Sequence, residues 1–178
     1  MGYTHFQGVS VTNEGIAVGE KGSETQIIDA SGNVSVPGSF KVPVVKVTDA
    51  ATYSVLAANT GKLHIIPDLT ADCVLSLPTA ASGLFYTFIY GGVAQDGHDV
   101  TFDTGSDTNF YLGGVTGLDD DDGDILVIYP DGDSNSIMKI DTLNAGSKIE
   151  LYCDGTNWYV NALVVSGTDT HTAFSDQS

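Results

Sequence analysis

Residues 146–166 constrain this chain more than any other stretch. They read Gly-Ser-Lys-Ile-Glu-Leu-Tyr-Cys, then Asp-Gly-Thr-Asn, then Trp-Tyr-Val-Asn-Ala-Leu-Val-Val-Ser. An Asp-Gly pair between two runs of β-branched and aromatic residues is the strongest short-range signal for a β-hairpin. On the first run Ile149, Leu151 and Cys153 alternate with Lys148, Glu150 and Tyr152, so a strand here turns one apolar face inward and leaves the other partly wet. The second run opens on Trp158, the one Trp of the chain. A two-stranded hairpin is marginal in water by itself, so these residues require a larger sheet to pack on.

Upstream segments supply candidates for that sheet. Residues 42–47 predict an edge strand, because Pro43 near its start has no N–H to donate. Residues 53–56 follow, and then 62–66, where Lys62, His64 and Ile66 alternate with Leu63 and Ile65; His64 is assigned to the wet face. In 72–77, Cys73, Leu75 and Leu77 share one face before Pro78 ends the run. Residues 84–90 form the most apolar run, predicted as a central strand buried on both faces. Short strands are expected at 100–102 and 110–112, a buried strand at 125–129, and another at 137–141. Gly91-Gly92 and Gly113-Gly114 read as turns. With 178 residues the chain can bury a real core. Strand signals at roughly 8–12-residue spacing without an amphipathic helix predict an all-β fold, an antiparallel sandwich or barrel-like domain over residues 42–166. Residues 167–178 read as a polar tail without periodicity, of the kind usually disordered unless tied down.

Residues 1–41 differ in texture. Apolar patches two or three residues long, around Val9-Ser10-Val11, Ile16-Ala17-Val18, Ile27-Ile28 and Val34-Ser35-Val36, are separated by Gly and polar residues. Such patches are too short to close a core against the entropy of ordering them, which predicts an extended arm of short β segments that lies on a partner. Phe6, Val9, Val11, Ile16, Val18, Ile27, Ile28, Val34 and Val36 are the residues expected to make that contact.

Charge narrows the partners. Twenty-three acidic residues face six basic ones, all Lys, for a formal net charge of −17. Nucleic-acid affinity rests on neutralising phosphates, so direct binding to nucleic acid is not expected, nor is an anionic membrane surface. No run of about 18 apolar residues and no basic-then-apolar leader is present, so neither a membrane span nor a secretory signal is expected. Phe6 stands where a myristoylation signal needs Ser or Thr. Cys73 and Cys153 are expected as small buried thiols.

Candidate chemistry is sparse. The acidic run Asp119, Asp120, Asp121, Asp122 and Asp124 offers oxygens that Ca²⁺ would accept, but its spacing matches no complete calcium loop. Asp131-Gly132-Asp133-Ser134-Asn135 opens like one, yet Ser136 holds the place of the sixth-position Gly and Thr142 that of the twelfth-position acid. No cofactor is expected. Gly-Asp-Ser at 132–134 with Asp169-Thr170-His171 superficially suggests a hydrolase, but that chemistry needs a strand-to-helix turn and an oxyanion hole, and no helix is predicted. His5, His64, His98 and His171 show no zinc spacing. Tyr86, Tyr90, Tyr111, Tyr129, Trp158 and Tyr159 are candidates for a sugar-stacking platform, although core packing accounts for most of them.

Residues 53–62 (Tyr-Ser-Val-Leu-Ala-Ala-Asn-Thr-Gly-Lys), 66–73 (Ile-Pro-Asp-Leu-Thr-Ala-Asp-Cys), Phe88-Ile89-Tyr90-Gly91-Gly92 and the hairpin residues 153–160 resemble tailed-bacteriophage virion structural proteins, often those of marine phages. The likeness covers roughly residues 50–165 and is one of β texture rather than of a catalytic motif. It implies a non-enzymatic protein of the virion, either a capsid decoration (cement) protein on the outer capsid surface or a part of a tail fibre or receptor- or glycan-binding module. A fibre normally has a long shaft and an anchoring region, which favours the decoration protein. That resemblance implies the major capsid protein as partner and a homotrimer as assembly.

Overall fold

The computed structural model describes residues 9–12, 15–18, 25–29, 42–93, 97–119, 123–167 and 172–177. The chain divides into two compact units, Met1–Lys41 and Val42–Ser178.

In the first unit, three of the four patches seen in the sequence are strands: β1 (Val9–Thr12), β2 (Gly15–Val18) and β3 (Thr25–Asp29). They pair antiparallel in the order β1-β2-β3, with Val9 opposite Val18 and Val11 opposite Ile16. The β2–β3 register shifts between Ile16 and Ala17. Phe6, Val34 and Val36 lie outside the described residues.

The second unit is a sandwich of two sheets. The large sheet runs β11-β10-β14-β13-β8-β6-β4 and the small one β15-β12-β9-β7-β5. Large-sheet strands are β4 (Val44–Lys46), β6 (Leu63–Ile66), β8 (Phe85–Tyr90), β10 (Tyr111–Asp119), β11 (Ile125–Ile128), β13 (Lys148–Cys153) and β14 (Trp158–Ser166). The small sheet holds β5 (Thr52–Ser54), β7 (Cys73–Ser76), β9 (Val100–Asp103), β12 (Ile137–Ile140) and β15 (Thr172–Ser175). One 3-10 turn, Ala57–Asn59, interrupts the β architecture of the described residues.

The expected hairpin is β13–β14, with Cys153 opposite Trp158 and Ile149, Leu151 and Cys153 buried as their alternation requires. Its turn is held by Asp154, whose Oδ1 accepts the N–H groups of Thr156 and Asn157, both at 2.8 Å. Gly155 sits at φ +111°, where an L side chain is strained. The Asn157 and Thr156 N–H groups first, then the Tyr159 hydroxyl and the Asp154 backbone N–H, lower the Asp154 carboxyl below its ordinary range. Alternate residues of both sheets meet in one core, where Phe88 of the large sheet packs edge-on against Phe102 of the small one at 5.0 Å. Burying each such large apolar side chain stabilises the fold by about 1.5–3 kcal/mol.

The sandwich is all-β as expected, but its sheets are mixed. From β4 to β9 the chain alternates between sheets at every strand, so β4, β6 and β8 lie parallel in one layer and β5, β7 and β9 parallel in the other. The strand in the opposite layer serves as the crossover. Each coil takes roughly two dozen residues, more than the dozen that a parallel connection requires. Turn residues such as Pro67-Asp68 and Pro78 end a strand without specifying the sheet that the next one joins, which is why alternation alone suggested antiparallel pairing.

Five further expectations are corrected. His64 faces the core and is fully buried, because the parity shared with Ile66 points inward. Strand β8 is buried on one face only: Tyr86, Phe88 and Tyr90 point inward while Phe85 is exposed. Gly113-Gly114 is not a turn but the middle of β10; Gly113, at φ +96°, lets β10 lie so close to β14 that a Cβ would sit 2.2 Å from the Val160 carbonyl oxygen. The C-terminal tail is tied down rather than without structure, since β15 pairs antiparallel with β12 and the Ser136 N–H donates to the Ser175 carbonyl. Strand β11 is the last element of its sheet, not a buried strand; Ile125, Leu126 and Val127 are exposed and Ile128 is half-buried.

Candidate binding surfaces

The outer face of the large sheet carries the most organised exposed groups. Phe85, Tyr152 and Tyr159 are cross-strand partners on β8, β13 and β14, so their rings form one row across the strands. Each is 42–45% exposed. The Phe85 and Tyr152 rings are stacked, with centroids 6.4 Å apart and planes 15° from parallel. Phe85 is pinned at the base of the row. Its N–H donates to Thr60 Oγ1 at 2.9 Å, the Gly61 N–H donates to its carbonyl at 2.9 Å, and its ring lies against Gly61, where a Cβ would come within 3.2 Å of it. At the far end, Tyr159 Oη donates to Asp154 Oδ2 at 3.1 Å, and the carboxylate raises the phenol pKa.

The next row inward along the strands is polar: Thr87, Glu150 and Asn161. Lys148 pairs with Glu150 at 2.6 Å, which raises the lysine pKa, and Asn161 Nδ2 approaches Glu150 at 3.5 Å. With Thr116, Ala162 and Leu163 these groups line a shallow depression of about 280 Å³. A flat row of rings beside a row of donors and acceptors is able to stack on the faces of sugar rings or of planar side chains while hydrogen-bonding their polar edges.

Most of the aromatic set singled out by sequence is elsewhere. Tyr86, Tyr90, Tyr111 and Trp158 are core residues, and only Tyr159 and Tyr129 are exposed. Burial pushes the Tyr86 phenol up to about 12, and Tyr111 well above its ordinary range. Their hydroxyls donate to backbone carbonyls, Tyr86 to Leu56 at 3.3 Å and Tyr111 to Phe102 at 3.2 Å. Phe85 and Tyr152 were missed, although strand parity placed Tyr152 opposite Leu151 and Cys153, on the wet face.

The remaining candidates form no common site. Ser134 sits in a tight turn in which Asp131 accepts the N–H groups of Asp133, Ser134 and Asn135 as well as the Ser134 hydroxyl. These donors, the Ser134 hydroxyl first, lower the Asp131 carboxyl to about 2. The hydroxyl is thus bonded to a carboxylate of its own turn; Asp169 and His171 lie outside the described residues. The calcium-like stretch is not a loop, because residues 137–140 are strand β12. Of the acidic run, Asp120, Asp121 and Asp122 lie outside the described residues, while Asp119 is buried at the end of β10 and its N–H donates to the Asp124 carbonyl at 3.0 Å. Among the described residues, no three His, Cys, Asp or Glu side chains are grouped to hold a metal ion, and no helix is long and apolar enough to cross a membrane.

His98 lies 3.7 Å from Asp72, and His5 is outside the described residues. His64 packs against Phe88 at 4.8 Å and Tyr86 at 5.6 Å, and neither ring nitrogen has a hydrogen-bond partner. Burial lowers its pKa. That burial is the largest influence and outweighs the opposing Lys62 and Thr87 backbone groups, while the Lys62 charge adds to the lowering. Cys73 and Cys153 are both buried and free, and burial raises the Cys73 thiol pKa.

A scan against protein-family models returns no match, and a search of the curated proteins returns none either.

Proposed function

We propose that this chain is a non-enzymatic decoration protein of a phage capsid, bound to the major capsid protein on the outer capsid surface, where it ties neighbouring capsomers together. The observation that carries this reading is the division at Lys41/Val42. An N-terminal unit of short strands is separate from a sandwich with its own closed core, as a protein needs if one part attaches and the other bridges. The resemblance of residues 50–165 to virion structural proteins points the same way. Val9, Val11, Ile16, Val18, Ile27 and Ile28, all on β1–β3, are then the attachment residues, with Phe6, Val34 and Val36 beside them in sequence. Holding strength comes from many copies acting together rather than from one tight contact. Removal of residues 1–40 is expected to empty the capsid of this protein, as measured by copies per purified particle; undiminished occupancy overturns the reading. Hundreds of copies per particle fit a decoration protein, and a few to a few tens fit a tail component.

A second reading, a receptor- or glycan-binding module of the virion, is favoured by the Phe85–Tyr152–Tyr159 row with its polar neighbours Glu150 and Asn161. On a glycan array it predicts reproducible hits that Tyr152→Ala and Tyr159→Ala abolish; an array without hits removes it.

A further inference from the structure

The two edges of the large sheet are built in opposite ways. β4 has three residues, follows Pro43 and ends on Lys46, the features by which proteins keep an edge from pairing. β11 has neither Pro nor charge within it: Ile125, Leu126, Val127 and Ile128 run on into Tyr129. Ile125 and Val127 are 67% and 68% exposed on one face, and Leu126 is exposed on the other. Among the described residues no strand lies on its outer side.

Its backbone is set for another strand. The Asp119 N–H donates to the Asp124 carbonyl, and pairs alternate along an antiparallel ladder, so Leu126 and Ile128 direct their N–H and C=O groups toward β10. Ile125 and Val127 therefore direct theirs outward.

We propose that β11 pairs with β11 of a second copy of this chain, antiparallel about a two-fold axis at Val127, joining two large sheets into one. Charge selects this occupant. On a chain of net charge −17, two copies repel each other overall, so a self-pairing surface must keep carboxylates from facing one another. About Val127 none do: Val127 faces itself, Leu126 faces Ile128, Ile125 faces Tyr129, and Asp124 falls opposite Pro130. The outward groups of Val127 bond to those of its mate, and those of Ile125 to those of Tyr129. Centring on Leu126 instead would set Asp124 against Ile128 and desolvate a carboxylate on an apolar side chain. The pairing is two-fold, and it stands independently of the capsid reading.

Sedimentation of the full chain over a concentration series tests it, together with Val127→Lys, Val44→Lys and Val127→Cys variants checked for the same circular dichroism. Expected are a dimer whose dissociation constant rises more than about tenfold in Val127→Lys, which sets two like charges opposite each other, and no change in Val44→Lys on the guarded edge. In oxidised glutathione, which takes up the two electrons and two protons, Val127→Cys is expected to cross-link copies in pairs, since a separation near ~5.5 Å between facing Cα atoms suits a disulfide. A monomer at all concentrations overturns the proposal. So does any oligomer that survives Val127→Lys and fails to cross-link through Val127→Cys. If Val127→Lys does not fold, protection of the Ile125 and Val127 amides against hydrogen exchange in the unaltered chain decides, protection rising with dimer supporting the pairing and its absence refuting it.

Discussion

Strands β8 and β11 are both apolar runs, Phe-Tyr-Thr-Phe-Ile-Tyr against Ile-Leu-Val-Ile, and end in opposite situations. β8 has β13 on one side and β6 on the other, with Phe88 fully buried between the layers. β11 has one neighbour and its side chains reach solvent on both faces. An apolar run states that burial is needed; the number of flanking strands decides whether the chain itself provides it. Where it does not, the deficit points to a second molecule.

The contrast can be broken or sharpened by substitution. The largest expected effect is at β8: Phe88→Ala removes a ring packed against both Phe102 and His64, and should cost about 3–5 kcal/mol in denaturant unfolding. Val127→Ala, measured on the monomer at high dilution, should cost less than about 0.5 kcal/mol, as exposed positions do. Equal losses at the two sites would erase the distinction. Between the two strands lies β10, where Gly113→Ala combines a left-handed φ with a Cβ aimed at the Val160 carbonyl; a loss of about 2–3 kcal/mol is expected. A smaller effect arises at His64, which packs on β8. Its pKa is lowered in the folded state, so below the ordinary value of 6.5 the unfolded chain takes up a proton that the folded chain refuses. The stability it contributes is complete above pH 6.5 and is lost as pH falls toward the folded-state value, at a slope of at most about 1.4 kcal/mol per pH unit. Unfolding followed between pH 7.5 and 5 in His64→Leu should lack this component; an unchanged slope would place the proton elsewhere. The ranges of these four measurements need no assumption about function.

Much of the sandwich was legible because alternation is a local property. Ile149, Leu151 and Cys153 turn inward as their spacing demands, and Asp154 holds the turn through the side-chain bonds that favour Asp there. What was not legible depends on partners distant in the chain. His64 was read as wet because histidine usually is, and only the parity it shares with Ile66 opposed that. Gly113-Gly114 read as a turn because nothing nearby shows that Val160, far along the chain, will approach closely enough to exclude a Cβ. The tail reads as polar because residues 167–178 have no periodicity, yet β12 offers its edge and Thr172–Ser175 pairs by its backbone. The aromatic row was partly visible: Tyr152 and Tyr159 lie on opposite arms of one predicted hairpin, whereas Phe85 joins them only through the β8–β13 register.

The coiled path of β4–β9 also governs when this protein can fold. None of those strands is completed by its immediate successor in the chain; β4 waits for β6, β6 for β8, and β8 still lacks one neighbour until β13 is made. During synthesis the first half of the sandwich therefore presents growing parallel layers with open sides, and β9 is closed only when β12 arrives. Such non-local pairing belongs to the slow class of small-domain folding, on the order of milliseconds to seconds, and the interval is one in which the nascent chain's high negative charge keeps neighbouring copies apart.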